Sequence, residues 1–216
     1  MTATPKQEKL AALFRQAVVI PVLTIERLED AVPLAKALIA GGVRVLEVTL
    51  RTPVAIPAAQ AIIANVPEAV VGIGTILNAD DLARAEAVGA VFGISPGATP
   101  DLLKAATASA LPFAPGIATA SDLMQALAHG FELVKFFPAE PSGGIKALRA
   151  LAGPFPDARF CPTGGIGEAN AVAWLAEPNV FAVGGSWLCP AADISSGNWA
   201  GITAICNRTM KLLKPA

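Results

Sequence analysis

Short runs rich in β-branched and aromatic residues alternate with longer runs rich in alanine and leucine along almost the whole chain. The short runs have strand length, and the pattern predicts strands at residues 18–23, 43–50, 70–75, 91–95, 112–114, 133–137, 159–163 and 180–183. Between them it predicts helices at 28–40, 54–65, 79–88, 100–109, 120–129, 144–151 and 169–176. An amphipathic helix with Leu10, Leu13 and Phe14 on one face precedes the first strand. A closing helix at 198–213 offers Ile202, Ile205 and Leu212 or Leu213 for packing. Asn78, Thr99 and Ser121 stand where helix N-caps are expected, and Gly41, Gly89 and Gly130 stand near helix ends.

Such alternation implies parallel strands joined by helical crossovers, and the continuous apolar runs fit strands covered on both faces. Eight strand–helix units point to a closed (β/α)8 TIM barrel, a single domain over residues 1–216 with an added N-terminal helix. A doubly wound open sheet is the alternative. At about 27 residues per unit the barrel is a lean one, since the fold commonly runs to about 250 residues.

Composition narrows the partner. A 54% apolar chain can fill a sizeable core, and 16 basic against 17 acidic residues give a net charge of -1, with no electrostatic footprint for nucleic acid or an anionic membrane. Cys161, Cys189 and Cys206 are too few and too widely spaced for a disulfide framework or a structural zinc site. No run resembles a signal peptide or reaches the roughly 18–20 apolar residues of a membrane span. A small-molecule partner and a reducing, cytoplasmic setting are therefore expected.

Candidate chemistry sits at the carboxyl ends of the strands, where parallel barrels place their sites. In ELVKFFPAE, residues 132–140, Lys135 interrupts an apolar strand. Removal from water favours the neutral amine of a lysine, the form that attacks a carbonyl; the other reading is a stem that packs while its head reaches solvent. Alternation in the second strand puts Glu47, Thr49 and Arg51 on one face, toward the interior, as a site or as a structural ion pair. The third strand ends in VGIGT, with Thr75 as a hydroxyl beside glycines that permit close backbone approach. SPGA at 95–98 and APGIAT at 114–119 read as turns that shape the rim. The seventh and eighth strands end in PTGGIG and VGGSW, so Gly164, Gly165 and Ser186 can offer a phosphate cradle where barrels commonly hold one. Phe137 shares the inward parity of Lys135 and can wall the site, whereas Phe136 packs outward.

Together Lys135 as imine-forming amine, Glu47 as general acid/base, Arg51 as a bidentate carboxylate clamp and the glycine cradle describe cleavage of a phosphorylated 2-keto acid. A sugar-phosphate isomerase or epimerase using Glu47 as base, or a silent phosphate-ligand binding module, would use the same scaffold. The single histidine, His129, is expected at a helix end and cannot build a multi-histidine metal site. Neither a Walker A pattern nor a first-strand dinucleotide fingerprint is present, so no cofactor is expected.

These motifs resemble the bacterial 2-keto-3-deoxy-6-phosphogluconate (KDPG/KHG) aldolases. The resemblance runs from VVIPVL at Val18 through EVTLRT at Glu47, GIGT at Gly72, SPG at Ser95, KFFPAE at Lys135 and TGGI at Thr163 to GGSWL at Gly184; the first 16 residues and the tail after Pro190 carry no recognisable match. It implies a class I aldolase with Lys135 as the Schiff-base lysine and Glu47 as the acid/base. It implies that Arg51 and Thr75 contact the pyruvate portion, and that Thr163, Gly164, Gly165 and Ser186 line the distal and phosphate region. It further implies a homotrimer, a place in the Entner-Doudoroff pathway, and KDPG, its galactonate epimer or 4-hydroxy-2-oxoglutarate as substrates.

Overall fold

Thr4 accepts a hydrogen bond from the Gln7 amide and Pro5 fills the first turn, so helix α1, Pro5–Ala17, begins on a side-chain cap with a proline whose missing N–H costs nothing there. The computed structural model describes residues 4–213. After α1 come β1 (Val19–Leu23), a 3-10 turn (Leu28–Asp30) leading into α2 (Ala31–Ala40), β2 (Val45–Thr49), α3 (Ala55–Asn65), β3 (Val70–Gly74) and α4 (Ala79–Ala87). The chain continues through β4 (Phe92–Ile94), α5 (Pro100–Ala108), β5 (Phe113–Ala114), β6 (Gly116–Ile117), α6 (Ala120–Ala128), β7 (Leu133–Phe136) and α7 (Gly144–Ala152). It closes with β8 (Arg159–Pro162), α8 (Ala171–Leu175), β9 (Val183–Gly185), α9 (Ala191–Ser196) and α10 (Trp199–Leu213).

All strand pairs are parallel. Six strands in the order β5-β4-β3-β2-β1-β9 form a half-barrel, and β6-β7-β8 form a second sheet. The expected fifth strand, 112–114, is present as β5, but the run 114–119 expected as a turn carries a further strand, β6, parted from β5 by Pro115, which has no N–H to give a ladder. β5 pairs with β4 and β6 with β7, while the Pro115 carbonyl still accepts the Lys135 amide at 2.9 Å. At the other side, single parallel bridges join Phe160 to Val180 and Thr163 to Gly184. The last strand thus forms later than residues 180–183, with Val180 reduced to one bridge. The cap expected at Ser121 is Thr119, whose hydroxyl accepts from Asp122 N while Asp122 accepts from Thr119 N. Asn78 and Thr99 cap as expected.

Two apolar layers hold these elements. The larger lies between strands and surrounding helices; the smaller fills the interior, where Leu10, Ala11 and Phe14 of α1 pack with Ile20, Val45, Phe92 and Leu133. Phe14 meets Phe92 edge-on, with ring centroids 5.5 Å apart. Helix α1 therefore plugs the amino-terminal end of the strands. Buried Gln7 fixes it there, donating to the Phe113 carbonyl and accepting from the Leu133 amide, both at 2.8 Å. No helix among the described residues is long and apolar enough to cross a membrane.

Gln7→Ala leaves a buried carbonyl and a buried amide without their partner. Urea denaturation should show a loss of about 1–3 kcal/mol; an unchanged midpoint would mean that Gln7 does not anchor the plug.

Candidate active site

Interior parity brings Lys135 and Glu47 together. Lys135 lies on β7, with Gly116 and Cys161 as its register neighbours, and Glu47 lies on β2 between Val22 and Gly72. Their side chains meet across the interior, with Lys135 Nζ donating to Glu47 Oε1 at 3.0 Å. The two residues are 3% and 1% exposed, so the reading in which Lys135 reaches solvent does not hold. Nor does Glu47 pair with Arg51. Two ionisable groups withdrawn from water are held by each other, and removing one partner of such a buried pair costs about 3–5 kcal/mol. Gly74 makes room for the carboxylate, because a Cβ at this position would fall 2.1 Å from Glu47 Oε1. Phe137 stands over the amine, its ring centroid 5.5 Å from Lys135 Nζ, whereas Phe136 faces outward onto Trp174 at 6.3 Å.

Above this pair opens a cleft of about 660 Å³, lined among others by Thr24, Arg51, Phe137, Thr163, Gly164, Gly165 and Ser186. Lys135, Glu47 and Thr75 are not part of its lining; they lie next to it, under Phe137 and beside Arg51. Arg51 lies beyond the end of β2 and is exposed at the cleft, not enclosed as the strand alternation implied, because the strand stops at Thr49. Its Nε donates to Thr75 Oγ1 at 3.3 Å. Thr75 adopts φ 60°, a conformation that a β-branched residue holds only at a cost of about 1–3 kcal/mol. That strain sits where β3 delivers its hydroxyl to Arg51.

Thr163 is buried at the end of β8, and its hydroxyl makes only a long 3.5 Å contact with the Cys161 carbonyl. Gly164 and Gly165 follow with φ 100° and 79°, conformations that admit glycine readily. Among the described residues the N–H groups of Gly165 and Ser186 donate to no protein acceptor, and both residues line the cleft beside Gly164. Free amides beside an exposed serine hydroxyl suit an anion. His129 ends α6, with its Nδ1 donating to the Gln125 carbonyl at 2.9 Å.

One group that supports the site escaped sequence reasoning. The Glu140 carboxylate accepts from Asn170 Nδ2 at 3.1 Å and from Trp174 Nε1 at 2.8 Å. Asn170 in turn holds the Gly165 carbonyl and the Gly167 amide. Backbone bonds from Ala139 to Thr163 and from Glu140 to Gly164 complete the seam between the lysine segment and the glycine loop. Glu140 is 30 and 34 residues from these partners, a separation that leaves no local signal.

The sequence model of the family described as KDPG and KHG aldolase matches residues 10–205 of this chain. The likeness therefore begins inside α1 and continues past Pro190 into α10, beyond the span that the motifs delimit. The KHG/KDPG aldolase of Escherichia coli (strain K12) is 53% identical over 193 residues, covering 89% of this chain and 91% of the relative. The 2-dehydro-3-deoxy-phosphogluconate aldolase of Pseudoalteromonas atlantica is 51% identical over 198 residues, covering 92% of each. Among solved structures, the KDPG aldolase of Legionella pneumophila, with pyruvate captured at low pH as a covalent carbinolamine intermediate, superposes with a TM-score of 0.90 at 48% identity, covering 92% of this chain and 97% of that one. The 2-keto-3-deoxy-6-phosphogluconate aldolase of Zymomonas mobilis ZM4 with 3-phosphoglycerate gives 0.90 at 46% identity, covering 97% and 98%.

The thiols around the site are inert by environment. Burial pushes Cys161 up to about 12 and Cys206 up to about 11, and pushes Cys189, at the cleft wall, upward as well. At pH 8 the reactive thiolate of Cys161 is then roughly one part in ten thousand. A disulfide reagent such as DTNB should find no fast-reacting thiol in the native protein and three after unfolding in guanidinium; a fast native thiol would contradict the burial.

Proposed function

The chain belongs to the KDPG and KHG aldolase family, and on that premise we propose that it is a class I, Schiff-base aldolase cleaving 2-keto-3-deoxy-6-phosphogluconate to pyruvate and glyceraldehyde 3-phosphate. The observation that carries the reading is the buried contact between Lys135 and Glu47 at 3.0 Å. It supplies a nucleophilic amine and a proton acceptor at one place, next to a cleft with an arginine at one side and free amides at another. The relative from L. pneumophila that holds pyruvate as a carbinolamine supports the covalent route, and the 3-phosphoglycerate of the Z. mobilis relative supports a phosphorylated ligand.

In this mechanism the neutral Lys135 amine adds to the C2 ketone, with Glu47 within reach of the proton it must shed, and loss of water gives the imine. The imine is the electron sink, so the steps require neither cofactor nor metal. Glu47, directly or through a water, removes the C4 hydroxyl proton as the C3–C4 bond breaks and glyceraldehyde 3-phosphate leaves. The enamine takes a proton at C3 and hydrolyses to pyruvate, freeing Lys135. Arg51 holds the C1 carboxylate, with Thr75 beside it; Thr163 faces the carbon chain and Phe137 walls it. Gly164, Gly165 and Ser186 take the phosphate.

The same pyruvate end admits 4-hydroxy-2-oxoglutarate, cleaved to pyruvate and glyoxylate, a reading supported by the name of the E. coli relative. We take the two sheets, continued through Pro115 and through the Phe160 and Thr163 bridges, as one closed (β/α)8 barrel and one domain over residues 1–216. Exposed Leu77 and Met124 offer apolar surface for the contacts of a homotrimer. The assigned setting is the cytoplasm and the Entner-Doudoroff pathway, with small metabolites as partners and neither nucleic acid nor membrane.

Lactate dehydrogenase coupling should detect pyruvate release from 2-keto-3-deoxy-6-phosphogluconate. No pyruvate from this compound, its galactonate epimer or 4-hydroxy-2-oxoglutarate would favour an isomerase or a binding module instead. Glu47→Gln should lower kcat about 10²- to 10⁴-fold; undiminished turnover would remove Glu47 from the acid/base role.

A further inference from the structure

Thr24 directly follows β1 and lines the cleft, and the mechanism above gives it no part. Its place is set by its neighbours. β1 lies between β2 and β9, with Val22 opposite Glu47 and Pro21 opposite Gly185. Thr24 shares the face of Val22 by the period of two, and stands about 6–7 Å nearer the carboxyl ends of the strands. It is thus one side-chain layer above Glu47 on one flank, and on the other it neighbours the strand whose next residue is Ser186.

The Thr24 hydroxyl is uncommitted. Thr49 has one hydroxyl proton and gives it to the Leu23 carbonyl at 2.8 Å, so in the contact between Thr24 Oγ1 and Thr49 Oγ1 only Thr24 can donate. That contact is 3.4 Å long, well outside the range of a good hydroxyl–hydroxyl bond. A half-buried hydroxyl at a cleft wall with proton and lone pairs to offer matches a ligand alcohol, which also both donates and accepts.

Resting on the aldolase reading, we propose that Thr24 is a specificity residue that hydrogen-bonds the hydroxyl on the carbon between the reacting centre and the phosphate. A substrate held at C2 by Lys135, at its C4 hydroxyl by Glu47 and at its phosphate by Gly164, Gly165 and Ser186 must pass its C5 hydroxyl along the end of β1. In the condensation direction this group is the α-hydroxyl of glyceraldehyde 3-phosphate. Thr24 therefore distinguishes hydroxylated from deoxygenated acceptor aldehydes and takes no part in imine formation.

The test is condensation of pyruvate with glyceraldehyde 3-phosphate or with its 2-deoxy analogue, 3-phosphooxypropanal. Wild type should prefer the hydroxylated acceptor in kcat/KM, and Thr24→Val, which keeps the shape and removes the hydroxyl, should lower that preference about tenfold. Thr24→Ala should do the same and Thr24→Ser should restore it, while deuterium exchange into the pyruvate methyl group verifies that each variant retains a working lysine. An equal preference in wild type and Thr24→Val, or loss of rate with both acceptors in proportion, overturns the assignment. Failure of wild type to condense pyruvate with either aldehyde removes the aldolase reading and this inference with it.

Discussion

A lysine and a glutamate 3.0 Å apart in an interior almost closed to water is the constraint on which the site depends. Neither residue is tolerable there alone, and their mutual attraction offsets the desolvation only when the geometry is fixed. Much of the surrounding sequence serves that requirement. Gly74 leaves the third strand without a side chain where the carboxylate lies. Pro115 keeps its carbonyl for the Lys135 amide while the ladder breaks around it. Helix α1 fills the opposite end of the interior with Leu10 and Phe14, so the lysine cannot reach solvent from below.

The rim is organised by a different physical demand, the supply of unpaired donors. Among the described residues the backbone amides of Gly165 and Ser186 stay free because the glycines turn with positive φ and because the loop is held from behind. Glu140, Asn170 and Trp174 do the holding, so the segment that carries the lysine also fixes the loop that faces the far end of the cleft. A carboxylate that accepts from an indole and an amide contributes order to the cradle. The family likeness over residues 10–205 covers both halves of this arrangement.

Period-two alternation was enough to place Lys135 with Glu47 and to separate Phe137 from Phe136, because each of these facts lives within one strand. Strand–helix alternation likewise exposed the parallel α/β architecture. Contacts between distant segments were illegible: Gln7 bonds Leu133 across 126 residues, and nothing in either neighbourhood signals the other. Alternation places Arg51 in the interior because it cannot tell that the strand stops at Thr49. Helix α9, Ala191–Ser196, is too short to show a periodicity, and Pro115 acts on hydrogen bonding, which the apolar pattern does not record.

The Schiff-base assignment rests on covalent chemistry at one amine. Incubation with pyruvate and sodium borohydride, followed by proteolysis and peptide mass mapping, should leave a single reduced adduct on Lys135. An adduct on another lysine, or no adduct at all, would contradict it.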